Sequence, residues 1–439
     1  MPESPAGAPA PVPLSARPGW VQEVVYRFRT EYRRDDGLLM IAVHADGSPQ
    51  RRVPVIADFG DVLPFLEELG EREVVDEQLR LSEAHLWNGL YRRDGRVRLF
   101  LNHDWLLGLL ELARQRGGDA HLQGMVQTAS RALHEHFQRD GFLIDELPGP
   151  GPFKSKLLPA SPFNGGYIEL WVEEAEMTGE TAPLQWASDL ARAWVETETF
   201  RSHGVFEPRH SVRFPAIQVP RRRLSTMRAR LFKDNTNLLW GLLTLSQATG
   251  ETRWRDAVDQ WLAGFVDTFY GAGLPFAHLD RQLVGYDRTL KAAFSALDLL
   301  VDLHDAGVGE GRALDLARET AAAWLDLQWP NGLFPAEPGA ESDHLDANVD
   351  MAVALVKLAA LGVPEADRLA EAAARCTRAI LEHHAAPAGY VLAVDRHGRS
   401  TDERVLVKYQ ALITKLALLP EDPADLVGAT ELLSLLRDR

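Results

Sequence analysis

The feature that most constrains this chain is a repeat. A polar, often Asp-led start, an apolar helix, a tight turn, an amphipathic helix and a glycine-aromatic exit recur about seven times. The starts fall near Asp58, Asp104, Asn164, Asp234, Asp287, Asp346 and Asp402, 46 to 70 residues apart. A unit of this kind cannot bury its apolar face alone, so neighbours must stack, either into a closed ring or into an open solenoid. Turns such as Thr178-Gly179-Glu180 and Thr249-Gly250-Glu251 are short enough to make the two helices of a unit antiparallel, with Gly suited to the left-handed residue past a helix end.

The first helix of each unit is apolar almost all round, as in Leu238-Leu239-Trp240-Gly241-Leu242-Leu243, which predicts an inner layer enclosed by neighbours. The second carries one apolar stripe, as in Trp254, Ala257, Val258, Trp261 and Phe265, which predicts an outer layer. A further helix over about Trp20 to Arg34 reads as an outer helix without an inner mate, placed to complete the ring beside the C-terminal unit. The expectation is an all-α protein, an α/α toroid of six to seven helical hairpins. It spans residues 19–439 as a single domain behind a Pro/Ala-rich, disordered leader at 1–18.

With 46% hydrophobic and 25% charged residues the chain can bury a large core. The leader lacks a basic n-region and a continuous apolar stretch, and no run is apolar enough to span a bilayer, so a soluble cytoplasmic protein is expected. A formal net charge of -16 disfavours nucleic acid and anionic membranes as partners. The lone Cys376, on an outer-helix pattern, rules out an intrachain disulfide or a Cys-based metal site and reads as a small buried residue. His383-His384 and the pair His134 and His136 lack the spacing for one metal on one helix face, so neither a metal nor a cofactor is expected.

Connections within a unit are short, whereas those between units are long, notably about 139–163, 201–233, 329–345 and 385–401. All the long ones meet the N-terminal ends of the inner helices, so one face is elaborated, and a site is expected there. Asp residues at helix starts serve capping by themselves. Their polar company exceeds that need: His103 with Asp104, Asn164 with Tyr167, Glu169 and Trp171, and Asp234 with Asn235 and Trp240. Tyr286 stands with Asp287 and Lys291, Asp343 and His344 with Asp346, Asn348 and Asp350, and Lys408 and Tyr409 follow Asp402. Carboxylates and amides pair with sugar hydroxyls, and aromatic faces stack on sugar C–H faces. The segment 201–233 adds nine Arg or Lys residues, Arg213 among them, against the single acid Glu207, which suits an anionic group on the ligand.

Over roughly residues 58–419 this layout, with its Asp-led inner helices such as Asp234-Asn235-Thr236-Asn237-Leu238-Leu239-Trp240, resembles the six-hairpin glycosidase superfamily. The resemblance implies a carbohydrate site at the loop-rich mouth and acid/base catalysis by aspartates. The resulting expectation is a glycoside hydrolase acting on an acidic, uronate-type or neutral oligosaccharide. Catalysis would fall to two of Asp234, Asp287 and Asp346. Substrate would be held by His103, Asp104, Asn164, Tyr167, Trp171, Asn235, Trp240, Tyr286, His344, Lys408, Tyr409 and Arg213. A uronate lyase or sugar epimerase would instead move a C–H proton with Tyr167, Tyr286, Tyr409 or His344. A terpene-cyclase-like toroid, suggested by the single run Trp324 to Gln328, and a non-catalytic binding scaffold are the remaining alternatives.

Overall fold

A computed structural model describes residues 14–147, 158–213 and 227–419. Seven outer and seven inner helices lie among them. The inner ones are α2 (Leu63–Glu68), α4 (His103–Gln115), α6 (Asn164–Thr178), α9 (Thr236–Thr249), α11 (Leu290–Asp305), α13 (Leu345–Ala360) and α15 (Val407–Ile413). The outer ones are α1 (Gly19–Thr30), α3 (Arg72–Ser82), α5 (Ala120–Ala132), α7 (Thr181–Val195), α10 (Thr252–Thr268), α12 (Arg312–Leu325) and α14 (Ala366–His383), with a short α8 (Glu198–His203) after α7. Each inner helix packs on the next, and α15 packs on both α13 and α2, so the ring is closed and the count is seven.

Closure depends on the extra N-terminal helix. Val21 and Val25 of α1 pack with Leu69, Leu14 and Ala417, so the end of the leader is held against the ring. Tyr32 donates to the carbonyl of Ala388 at 2.7 Å, and the strand Met40–His44 pairs antiparallel with Arg404–Leu406 just before α15. The last inner helix thus begins five residues later than its Asp-led start suggested, because Asp402 closes the strand Ser400–Asp402 and pairs with Arg404. Every strand of the described residues falls in an outer-to-inner connection, so strands decorate the loop-rich face and the helices carry the frame. The opposite face has the tight turns, where Gly179 and Gly250 take the left-handed conformation.

A recurring side-chain clamp explains the amides at the inner-helix starts. Asn102, Asn164, Asn235, Asn348 and Gln410 each accept from the backbone N–H and donate to the backbone C=O of one residue at the preceding exit. Those residues are Tyr91, Leu143, Phe206, Phe334 and Tyr390 respectively. A third partner comes from the outer layer in three of them: Trp194 and Trp261 donate their indole N–H to Asn164 and Asn235, and the Cys376 thiol approaches Asn348. Buried backbone groups must be paired, and here one amide pairs two at the point where the chain turns inward. Asn is costly inside a helix, and this task is what keeps it there.

Candidate active site

The N-terminal ends of the inner helices bring a polar set together at the mouth of the ring. Lys408, on α15, places its ammonium 3.0 Å from Asp58 and 3.2 Å from Asp61. On α4, His103 Nδ1 lies 2.7 Å from Asp104. Across the mouth Asp346 binds Lys291 at 2.8 Å and His344 Nδ1, and the His344 ring stands edge-on to Tyr409. The carboxylates of Asp58, Asp61 and Asp104 lie within 4.8 Å of one another, a geometry that can hold a cation. Lys408 already supplies that charge. Burial pushes the Asp58 carboxyl up, against the pull of Lys408. Burial acts the same way on Asp104 but is outweighed by His103, Lys408 and Lys233, which hold it well below the usual carboxylate range. Asp346 is held low in the same manner by His344 and Lys291.

From His103 and Asp104 a cavity of about 530 Å³ runs down the inside of the ring between α2, α4, α6 and α9, past Glu169 and Glu173, to Gln247 near the short-turn face. Its size is that of a small-molecule site. Burial raises Glu169, with Asp302 adding to the effect and His103 opposing it; no hydrogen bond holds its carboxyl among the described residues. Glu173 is pushed up to about 7 by burial and by Glu169, although Arg114 lies 3.1 Å away. Farther round the ring, Lys357 bridges Asp298 and Asp302, and the Trp240 indole donates to Asp302 at 3.0 Å. Burial, with Asp298, pushes Asp302 up to about 6, and burial takes Asp350 to the same value.

The expected site residues thus divide. His103, Asp104, His344, Asp346, Lys408 and Tyr409 meet at the mouth, and Trp240 faces the interior beside Asp302. Asn164 and Asn235 are clamps. Tyr167 is buried, donating to the carbonyl of Leu99 at 2.6 Å, and Trp171 is buried against Trp186 in the wall. Asp234 is not a free acid: it is 1% exposed and grips Arg230 through both oxygens, at 2.6 and 2.8 Å. Asp287 has φ 55° and stands exposed on the rim, 3.2 Å from His278, on whose ring Tyr286 stacks. Its proximity to α11 gives it no capping role, which Thr289 takes. The three proposed catalytic aspartates therefore do not form one group. Arg213 is exposed, Arg209 pairs with Asp145, and Arg228 bonds Thr199, while Arg221, Arg222 and Arg223 lie outside the described residues.

Sequence reasoning passed over Glu173 and Asp302 and gave Glu169 and Asp350 no role. A signal was present: Glu169 and Glu173, Asp298 and Asp302, and Asp346 and Asp350 are like-charged pairs at i,i+4 on otherwise apolar helices. Such pairs weaken an isolated helix. The inner helices are not apolar all round, because their inward stripe faces a cavity, not a packed core.

These acids predict a pH dependence of stability. Asp302, Asp350 and Glu173, with folded values raised to about 6, 6 and 7, hold a proton in the folded state that the unfolded chain releases nearer its ordinary value. Their contribution is therefore present at low pH and is lost as pH rises through the folded values. Asp104 and Asp346 act oppositely, but only in strong acid. Thermal unfolding is expected at a higher temperature at pH 5 than at pH 8, and calorimetry at the two values checks it.

No protein-family model matches the sequence, and no curated protein matches it. Among solved structures the chain is similar to an alpha-1,2-mannosidase from Trichoderma reesei, at 14% identity over 93% of each chain with a TM-score of 0.67. It is also similar to a D-mannose isomerase, at 10% identity over 92% of this chain and 97% of the other with a TM-score of 0.59. A cellobiose 2-epimerase from Bacillus thermoamylovorans B4167 matches at 10% identity over 90% and 99%, with a TM-score of 0.58. No helix of the described residues is long and apolar enough to cross a membrane. The chain shares its fold, a closed α/α toroid, with these structures.

Proposed function

We propose that the chain is a carbohydrate-active enzyme that hydrolyses a glycosidic bond in the cavity below the mouth, with Glu169 as general acid and Asp104 as general base. The carrying observation is that one cavity holds two carboxylates on adjacent inner helices whose surroundings shift them in opposite directions, Glu169 up by burial and Asp104 down by its cationic neighbours. Bond cleavage needs such a pair, one acid to protonate the leaving oxygen and one carboxylate to activate water. Asp346 and Asp350 show the same contrast, but they lie four residues apart on one helix and cannot flank a bond from opposite sides.

A second reading draws on His344. With Nδ1 held by Asp346, its Nε2 is left for the mouth beside Tyr409, an arrangement suited to moving a C–H proton in an epimerase or lyase. Fold does not choose between the readings, since the similar structures carry the names of a mannosidase, an isomerase and an epimerase. Incubating neutral and uronate-containing disaccharides with the protein in heavy water is expected to give free monosaccharides without deuterium on carbon. An unhydrolysed isomer carrying deuterium, or an ultraviolet-absorbing unsaturated product, would replace hydrolysis with the second reading.

A further inference from the structure

The chain uses lysine sparingly: seven lysines stand among 47 basic residues. All five that are described lie at the inner helices. Four of them, Lys291, Lys357, Lys408 and Lys415, have an aspartate partner inside the ring. Lys233 is the exception. No carboxylate of the described residues is in ion-pair reach of its ammonium, which lies over the Phe232 ring, 5.5 Å from the centroid.

Its backbone is also exceptional. Lys233 has φ 65° and ψ -19°, a left-handed conformation that glycine would take without strain, at the turn leading into α9. The surrounding contacts fix that turn from every side: Asp234 grips Arg230, Asn235 donates to the Arg230 carbonyl, and the Lys233 N–H donates to Thr236 Oγ1 at 3.2 Å. Lys233 stands at the turn into the N-terminal end of α9, on the same loop-rich face as the other inner-helix starts that form the mouth, and its charge is felt by Asp104 across α6. A half-buried ammonium at the mouth with no carboxylate of the described residues in ion-pair reach is free to take an anionic group of a ligand.

We infer that Lys233 is a specificity-determining residue that receives the carboxylate of an acidic sugar at the mouth. The inference rests on the reading of the cavity as a saccharide site, and it moves the anion contact from the arginines of the 201–233 segment to its lysine. An ammonium offers such a carboxylate charge-assisted hydrogen bonds, and the loss of one is felt as about a tenfold change in affinity.

Calorimetric titration of the full chain with glucuronic acid and with glucose tests it. The wild type is expected to bind glucuronic acid about tenfold more tightly than glucose, Lys233→Met to lose that preference with glucose binding unchanged, and Lys233→Arg to keep most of it. Lys233→Gly, which removes the ammonium and the backbone strain together, is expected to lose the preference at an unchanged or raised unfolding temperature, a combination that a structural role would not give. An unaltered preference in both the Met and Gly variants, or a wild type that favours glucose, overturns the inference. Because the readout is binding, a preference lost in Lys233→Met alongside a failure to cleave any disaccharide sinks only the hydrolase reading, whereas binding of neither sugar sinks both.

Discussion

Glu169→Gln is expected to lower turnover by about 10²–10⁴-fold with little change in KM, and Asp104→Asn to do the same. Neither change removes volume, so a loss of rate reports the loss of a transferable proton or of a base. The pH profile separates the two roles. With Glu169 as the acid, wild-type activity falls on the alkaline side as its raised carboxyl finally ionises, and the Gln variant has no such limb. Asp104 is ionised throughout the ordinary range and imposes no acid limb there. Asp287→Asn, on the exposed rim, is expected to remain near wild type, while Asp234→Asn should weaken folding through Arg230 before it touches turnover. If Glu169→Gln keeps its rate and Asp346→Asn loses it, the chemistry belongs to the His344 side of the mouth.

Asn235→Ala is expected to cost about 3–5 kcal/mol of stability, among the largest effects available from one surface-remote side chain. It strands the N–H and C=O of Phe206, the carbonyl of Arg230 and the indole N–H of Trp261, all in the dry layer between inner and outer helices. For a chain of 439 residues that is a fall of roughly 3–5 °C in the unfolding midpoint, because the entropy of unfolding grows with length. Asn235→Asp is no rescue: it keeps the acceptor, loses both donors and buries a charge. Asn331→Ala, a half-buried loop amide that donates to the Arg396 carbonyl and accepts from the Leu333 N–H, is the milder comparison and should cost about 1 kcal/mol. Urea unfolding of the three variants measures the differences, and a small effect for Asn235→Ala would show that the clamp is dispensable.

The helices and their two layers were legible because hydrophobic period and glycine turns are local signals, and Gly179 and Gly250 act as read. Ring closure was foreshadowed by the stray helix at Trp20. The site was legible only by face. Asp104, His344 and Lys408 could be placed at the mouth, since all stand at inner-helix starts. What local sequence could not separate was a polar residue that serves a ligand from one that serves the chain. Asn164 and Asn235 carry the same side chain a binding site would use, and only the position of the preceding exit shows that both hydrogen-bonding edges are spent on backbone. Asp234 looked free until Arg230, four residues earlier, was found to chelate it. Glu169 was visible but unremarked, because its chemistry depends on burial by α4 and α9, which lie far away in sequence.

The seam between the strand at Met40–His44 and the strand at Arg404–Leu406 sets an order of assembly. Lys408 meets Asp58 across 350 residues of chain, so the mouth has no complete electrostatic partner set until nearly all of the described ring has been synthesised. A growing chain can zip hairpin on hairpin from the N-terminal side, but α1 and α2 must wait with one flank open. On this topology the ring cannot seal until α15 is in place between α13 and α2, which makes that helix its latch. Lesions in that latch would be felt at the other end of the chain, as an unpaired Asp58 and Asp61 and an unsealed ring.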